Sequence, residues 1–137
     1  MLRVAAYCRV STDKDDQANS FESQQRYFRE YIERNPEWEL VRIFADEGIS
    51  GTNTKKRKEF NRMIRFAKAG EVDLIITKEV SRFARNTVDT LQYTRDLKKI
   101  GVYVLFMNDN INTKDPDSEL RLTIMASIAQ EESRKTS

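Results

Sequence analysis

Short apolar runs alternate along this chain with segments of helical spacing, and this alternation limits the fold more than any other feature. The apolar runs are residues 2–6, 40–45, 72–77 and 102–107, and each has the length of a strand rather than a helix. In the segments between them, apolar residues recur every three or four positions. This pattern predicts an α/β fold: one three-layer domain in which a mostly parallel sheet has helices on both faces.

Four helices are expected between and after these strands. They begin near Ser20, Phe60, Asn86 and Asp115, and the first three end at Asn35, Gly70 and Gly101. Serine, asparagine and aspartate are common N-cap residues, and glycine is common directly after a helix. The last helix carries an apolar stripe of Leu120, Ile124 and Ile128, and no stop signal follows it. Packing on its own domain is the default explanation for this stripe.

The composition is that of a globular domain. Of 137 residues, 39% are hydrophobic and 34% are charged. No apolar run approaches the roughly 20 residues that cross a bilayer, and no signal peptide is evident, so we expect a cytoplasmic protein. The single cysteine, Cys8, cannot form an internal disulfide. The lack of histidine excludes most zinc sites and histidine-based acid–base mechanisms.

The charge total alone does not predict a nucleic-acid partner. There are 24 basic and 22 acidic residues, which leaves a net charge of +2. The distribution is more informative, because Lys55, Lys56, Arg57 and Lys58 are consecutive. A basic run of this length is either a solvated loop or a contact with nucleic acid, and both interpretations stay open.

Reactive side chains follow the first and third strands. Tyr7, Arg9 and Ser11 project to one side because side chains alternate along a strand, and Arg82 and Arg85 share one face of a helical turn. If these strands are neighbours, the groups converge in the crevice outside the carboxyl ends of the sheet. Arginine stabilises charge on phosphate oxygens and favours the alkoxide form of serine, so the set suggests attack on a DNA phosphodiester. Taken separately, the segments are also explained by a strand that frays into a loop and by surface arginines.

With this spacing of Tyr7, Arg9 and Ser11, the chain resembles the catalytic domain of the serine recombinases, the resolvase/invertase family. The resemblance continues through residues 20–26, 46–51, 81–86 and 128–134, and it implies the strand order 2-1-3-4. The active-site positions that it implies are Ser11 as nucleophile, with Arg9, Arg82, Arg85, Tyr7, Gln24, Ser50 and Arg57 around the phosphate and Glu132 near them.

Two positions depart from the pattern of many family members. Ser81 stands where many resolvases and invertases have an aspartate, and Ser133 stands where an arginine often follows the glutamate of the last helix. The first change makes the chain more similar to the large serine recombinases, the phage integrases and transposon recombinases. The serine also removes a possible acid near the leaving group. Ser81 is therefore only a candidate supporting residue.

The resemblance implies a reaction and partners. Ser11 is expected to attack a DNA phosphodiester, form a 5′-phosphoserine link and release a 3′-hydroxyl, without a metal or other cofactor. Family members act as tetramers on two paired double-stranded DNA sites, so the last helix is expected to form homodimers or tetramers. The expected DNA contacts are Lys55, Lys56, Lys58 and Arg134. We expect residues 1–137 to be one catalytic domain, truncated before a C-terminal DNA-binding region.

Two other functions are considered for the same fold. One is a catalytically silent DNA-binding or regulatory module, which the complete set of serine and arginines argues against. The other is a flavodoxin-like binder of a small molecule, which needs a phosphate-binding loop after the first strand. Residues 12–19 include Asp13, Asp15 and Asp16, whose charges repel phosphate.

Overall fold

A five-stranded sheet forms the centre of the computed structural model, which describes residues 2–10, 20–47, 57–83 and 87–135. The strands are β1 (Leu2–Val10), β2 (Trp38–Glu47), β3 (Leu74–Thr77), β4 (Tyr103–Phe106) and β5 (Ile111–Asn112). Their order is β2-β1-β3-β4-β5; the first four are parallel, and β5 is antiparallel to β4. The predicted α/β fold with strand order 2-1-3-4 is confirmed, and one further strand lies at the edge.

The helices of the described residues lie between and after these strands. They are α1 (Phe21–Glu33), α2 (Lys58–Lys68), α3 (Val80–Phe83), α4 (Thr87–Lys99) and α5 (Ser118–Lys135). Helix α1 begins as predicted, because the Ser20 hydroxyl accepts a hydrogen bond from the Ser23 backbone N–H at 3.3 Å. Helices α2 and α4 are each followed by a glycine with positive φ, Gly70 and Gly101, at the predicted stops.

The sheet separates two apolar cores. On β1, Ala5 and Tyr7 belong to the core shared with α2, α3, α4 and α5, whereas Ala6 and Cys8 belong to the core shared with α1. The α1 side is filled mainly by Phe28 and neighbouring residues of that helix. Burial on both faces explains why the strands have continuous apolar sequences, and it confirms the three-layer arrangement.

Two short elements are not predicted by the sequence pattern. Helix α3 has four residues and β5 has two, so neither is long enough to show a period. Thr113 fastens β5, because its N–H donates to the Val104 carbonyl at 2.9 Å and its hydroxyl accepts from the Val104 N–H at 2.8 Å. Helix α5 begins at Ser118, after turns over residues 113–117, and not near Asp115 as predicted.

The amino ends of the two neighbouring strands β1 and β3 are joined by an ion pair. Asp73 accepts hydrogen bonds from the Arg3 backbone N–H at 2.9 Å and from its guanidinium at 3.1 and 3.2 Å. These bonds hold the pKa of the Asp73 carboxyl below its ordinary value.

None of the helices in the described ranges is both long enough and apolar enough to cross a membrane.

Candidate active site at the carboxyl edge of the sheet

The strand order brings the two reactive segments to one place. β1 and β3 are adjacent and parallel, with Ala6 paired to Ile76, so the chain leaves both strands at the same edge of the sheet. Arg9 lies near the end of β1, and α3 begins at Val80, three residues after Thr77 ends β3. The condition that the sequence left open, that the first and third strands are neighbours, is therefore met.

Not all predicted site residues fall in the described part of the chain. Ser11, Ser50, Lys55, Lys56 and Arg85 lie outside the described residues. Ser81 and Arg82 lie on α3, and Glu132 and Arg134 lie near the end of α5. Lys58 is the first residue of α2 and is exposed.

Tyr7 is fully buried and anchors the start of α2 through Asp46. The Tyr7 hydroxyl donates to Asp46 Oδ2 at 2.9 Å. The same carboxylate accepts from the backbone N–H groups of Glu59 at 3.0 Å and Phe60 at 3.1 Å. These N–H groups are in the first turn of α2, where Arg57 supplies no side-chain cap, so Asp46 takes the place of an N-cap residue.

The Arg57 guanidinium packs on the rings beside this carboxylate. It lies 3.8 Å from the centre of the Phe60 ring and 5.4 Å from that of Tyr7, and it donates to the Phe83 carbonyl. Burial raises the pKa of the Tyr7 hydroxyl above its ordinary value, although Arg57 acts in the opposite direction. Tyr7 therefore stays neutral, and both side chains hold α2 and α3 against the sheet.

A narrow cleft with polar and apolar lining opens on the α1 side of the same edge. Its lining includes Cys8, Arg9, Gln24, Thr77 and Lys78. Gln24 and Thr77 are almost completely buried, and within the described ranges the Thr77 hydroxyl has no hydrogen-bond partner. Arg9, which also lines the cleft, is partly exposed.

The Cys8 thiol in this cleft is a packing group. It is 3% exposed and donates to the Phe44 carbonyl at 3.8 Å. Burial raises the pKa of the Cys8 thiol to about 12, with a smaller opposite effect of Lys78. Since a thiolate is the nucleophilic form, burial and the raised pKa both disfavour a nucleophilic role for Cys8 at neutral pH.

Helix α3 is held at both ends. The Val80 N–H donates to Asp109 Oδ2 at 2.8 Å, and the Phe83 carbonyl accepts from Arg57. The Phe83 ring makes edge-to-face contacts with Phe60 and Phe106, at 5.1 and 5.5 Å between ring centres. Arg82 is thus on a short segment whose backbone is fixed on either side.

Sequence reasoning missed the roles of Asp46 and Asp109, and it gave none to Lys78. Asp46 follows a strand and precedes a turn-rich segment, which is a common place for an ordinary loop or cap carboxylate. Lys78 directly follows β3 and precedes the segment of Arg82. This position in the sequence was the only signal that could have placed Lys78 near the site. Its ammonium lies 5.0 Å from the centre of the Tyr27 ring.

Comparison with known sequences identifies a family for almost the whole chain. A family model described as Resolvase, N terminal domain, matches residues 4–137. A Resolvase/recombinase of Pseudomonas putida is 30% identical over 131 residues, or 96% of this chain and 65% of that protein. The Transposon Tn3 resolvase of Escherichia coli is 29% identical over 135 residues, or 98% of this chain and 65% of that protein. The chain therefore spans about 65% of the length of these relatives.

Solved structures have the same fold over nearly their full length. The N-terminal catalytic domain of TP901-1 integrase superposes with a TM-score of 0.76 at 26% identity, covering 98% of this chain and 99% of that one. A resolvase family site-specific recombinase from Streptococcus pneumoniae gives a TM-score of 0.76 at 31% identity, covering 99% and 93%.

Proposed function

Because this chain belongs to the resolvase family, we propose that it is the catalytic domain of a site-specific serine recombinase that cuts and rejoins DNA. The observation that carries the proposal is the adjacency of β1 and β3, which brings the Arg9 strand end and the Arg82 helix to one edge. Relatives of greater length support a further proposal, that residues 1–137 work together with a separate DNA-recognition region.

The proposed reaction is a transesterification at Ser11. The hydroxyl loses its proton and attacks the phosphorus of a DNA phosphodiester. The bond to the 3′-oxygen breaks, that oxygen takes up a proton, and the 5′-phosphate stays bonded to serine. The number of phosphoester bonds does not change, so religation by the 3′-hydroxyl needs no outside energy source, metal or nucleotide.

Arginine cations supply the charge stabilisation that this reaction needs. Negative charge builds up on the non-bridging oxygens in the transition state, and guanidinium groups bind such oxygens with two parallel hydrogen bonds. We assign this role to Arg9, Arg82 and Arg85. Support comes from the position of Arg9 and the α3 backbone at the same edge of the sheet.

The remaining site residues have different roles in this proposal. Tyr7 and Arg57 are positioning residues, because one is buried against Asp46 and the other is stacked on Phe60. Gln24 and Ser50 contact the phosphate region. Glu132 and Ser81 support the site, and Lys55, Lys56, Lys58 and Arg134 bind the DNA backbone.

The exposed apolar stripe of α5 supports assembly of copies of this chain. Leu120, Ile124 and Ile128 are 64%, 51% and 52% exposed, whereas Leu122 on another side of the helix is fully buried. Packing on its own domain, the default explanation of the stripe, therefore does not apply to these three residues. We propose that they form the contact between protomers in the dimers and tetramers that act on paired double-stranded DNA sites.

A covalent adduct is the decisive test of the proposed function. The full-length protein is incubated with genomic DNA of its source organism, stopped with denaturant, and the protein-linked fragments are purified and sequenced. We expect protein at the 5′ ends of recurrent sequences, and a nucleotide remnant on Ser11 by mass spectrometry after nuclease digestion.

Variants separate the chemistry from DNA binding. Ser11→Ala abolishes the adduct, and Arg82→Ala lowers the cleavage rate by about 10²- to 10³-fold, as loss of a transition-state donor does. Arg29→Ala, an exposed arginine on α1, is the matched control and keeps the wild-type rate. Absence of an adduct with the wild type, or an adduct that survives Ser11→Ala, contradicts the mechanism.

A further inference from the structure

The turn after β4, residues 107–110, lies against the chain segment between β3 and α3. The Met107 N–H donates to the Thr77 carbonyl at 3.0 Å, and the Asn108 N–H donates to the Lys78 carbonyl at 2.7 Å. The Asn108 side-chain amide also donates to Glu79 Oε1 at 3.2 Å. Three hydrogen bonds therefore join this turn to the segment that leads into α3.

Asp109 fixes the point at which α3 begins. Its Oδ2 accepts from the Val80 backbone N–H at 2.8 Å, a hydrogen bond strengthened by the negative charge of the acceptor. Val80 is 3% exposed, so this bond forms in a partly buried place where water competes poorly. Arg82 comes two residues later on the same short helix.

Arg121 of α5 holds this turn from the other side. Its guanidinium donates to the Asn110 carbonyl at 2.6 Å and to the Asp109 carbonyl at 3.1 Å. Asn110 has a φ of +52°, a left-handed conformation that costs free energy in a residue other than glycine. Two charge-assisted bonds to carbonyls on this residue and its neighbour stabilise the turn in that shape.

From these contacts we infer that Asp109 and Arg121 are positioning residues for Arg82 in DNA cleavage. This inference rests on the proposed function. Arg121 shapes the turn, the turn presents the Asp109 carboxylate to Val80, and α3 is thereby oriented toward the carboxyl edge. The opposite end of α3 is already held by Arg57, so loss of the Asp109 bond frees only one end. The contacts also connect the helix proposed for assembly to the helix that carries Arg82.

The first arm of the test measures the rate of covalent cleavage at the DNA site mapped with the wild type. Asp109→Ala is expected to slow cleavage by about a hundredfold, since displacement of a catalytic group by about 1 Å has an effect of this size. Arg121→Met, which keeps the side-chain stem, is expected to slow it as well. Asp109→Asn keeps an acceptor oxygen and is expected to restore most of the rate. DNA affinity stays unchanged in all three variants.

A double mutant distinguishes positioning of Arg82 from a general structural role. If Asp109 acts through Arg82, adding Asp109→Ala to Arg82→Lys changes the remaining rate by less than about twofold, because the two effects are not additive. Asp115→Ala, an exposed acid between β5 and α5, is the matched control and leaves the rate unchanged in both backgrounds.

The second arm needs no DNA. Amide hydrogen exchange of residues 80–83 is expected to be faster in Arg121→Met than in the wild type, and unchanged in Asp115→Ala. Faster exchange with wild-type cleavage, or additive losses in the double mutant, overturns the inference while the proposed function stands. A wild-type protein without any covalent adduct overturns the proposed function, and the inference with it.

Discussion

Asp46 accepts hydrogen bonds from donors on two elements, the Tyr7 phenol on β1 and two backbone N–H groups at the start of α2. An acid beside a candidate phosphate site is unfavourable unless its charge is used elsewhere. Here the charge is directed at the positive end of a helix and at a buried hydroxyl. At the scale of single residues, the Asp46 carboxylate is therefore bonded to a helix start and a phenol on the protein itself.

Cys8 gives a prediction for the pH dependence of stability. Its pKa is raised from an ordinary 9.0 to about 12, so above pH 9 the unfolded thiol loses its proton while the folded thiol keeps it. The unfolded state then binds fewer protons, and stability falls as pH rises. Between pH 9 and 10 the loss is about 1 kcal/mol from this group. Urea unfolding at both pH values measures it.

Cys8→Ala provides the comparison for this prediction. The variant lacks the titrating group, so its free energy of unfolding is expected to fall less than that of the wild type over the same interval. Other ionisable groups contribute equally to both proteins and cancel in the difference. Equal slopes in the two proteins contradict the assignment of a raised pKa to Cys8.

The face on which a side chain lies could be predicted from the sequence, because it depends only on the period of its own strand or helix. Alternation along β1 correctly separated Tyr7 from Cys8, because the strand period is two. The contacts of Asp46 with Tyr7 and of Asp109 with Val80 join residues 39 and 29 positions apart. No local period encodes such pairs, since only the folded sheet brings them together.

At the scale of elements, the start of α2 depends on a carboxylate from β2, and this dependence can be measured. Asp46→Ala removes the cap of α2 and leaves the buried Tyr7 hydroxyl without its acceptor, at a cost of about 3 kcal/mol in the free energy of unfolding. Asp46→Asn keeps one acceptor oxygen and is expected to lose less. Chemical denaturation followed by circular dichroism gives these values.

The matched control for this experiment is another aspartate. Asp96 on α4 is exposed, and its carboxylate accepts only a surface hydrogen bond from Gln92 in the described contacts. Asp96→Ala is expected to change the free energy of unfolding by about 0.5 kcal/mol or less. Equal losses in Asp46→Ala and Asp96→Ala rule out the capping role.

Element prediction succeeded for long periodic segments and failed for short ones. Helix α1 was predicted from Ser20 to Asn35 and is observed as Phe21–Glu33, because its cap and its apolar face both follow local rules. Helix α3 depends on side chains from elsewhere in the chain, Arg57 and Asp109. Strand β5 depends on the hydrogen bonds between the adjacent Thr113 and Val104 of β4. Their sequences alone contain too few turns or alternations to identify them.

At the scale of the whole molecule, the α5 stripe predicts association of protomers. Ile124→Lys places a charge in the middle of the three exposed apolar residues, and burial of that charge in a protomer contact is unfavourable. We expect the variant to be monomeric at concentrations where the wild type is a dimer. Sedimentation velocity over a concentration series measures this.

The chain offers a closely matched control for the charge. Ile100, in the turn after α4, is 49% exposed, against 51% for Ile124, and lies outside the stripe. Ile100→Lys therefore adds the same charge at the same exposure and is expected to sediment as the wild type. A wild-type protein that stays monomeric, or a dimer that survives Ile124→Lys, excludes the stripe as the contact.

The order of the strands also determines the order in which the fold can be completed during synthesis. Of these strands β1 is made first, but it lies between β2 and β3. Its neighbour β2 is complete once residue 47 is made, and its neighbour β3 only once residue 77 is made. The ribosome needs roughly two to six seconds to add these 30 or so residues. During this interval the strand that precedes Ser11 is an unprotected edge of the nascent chain, open to pairing with other chains.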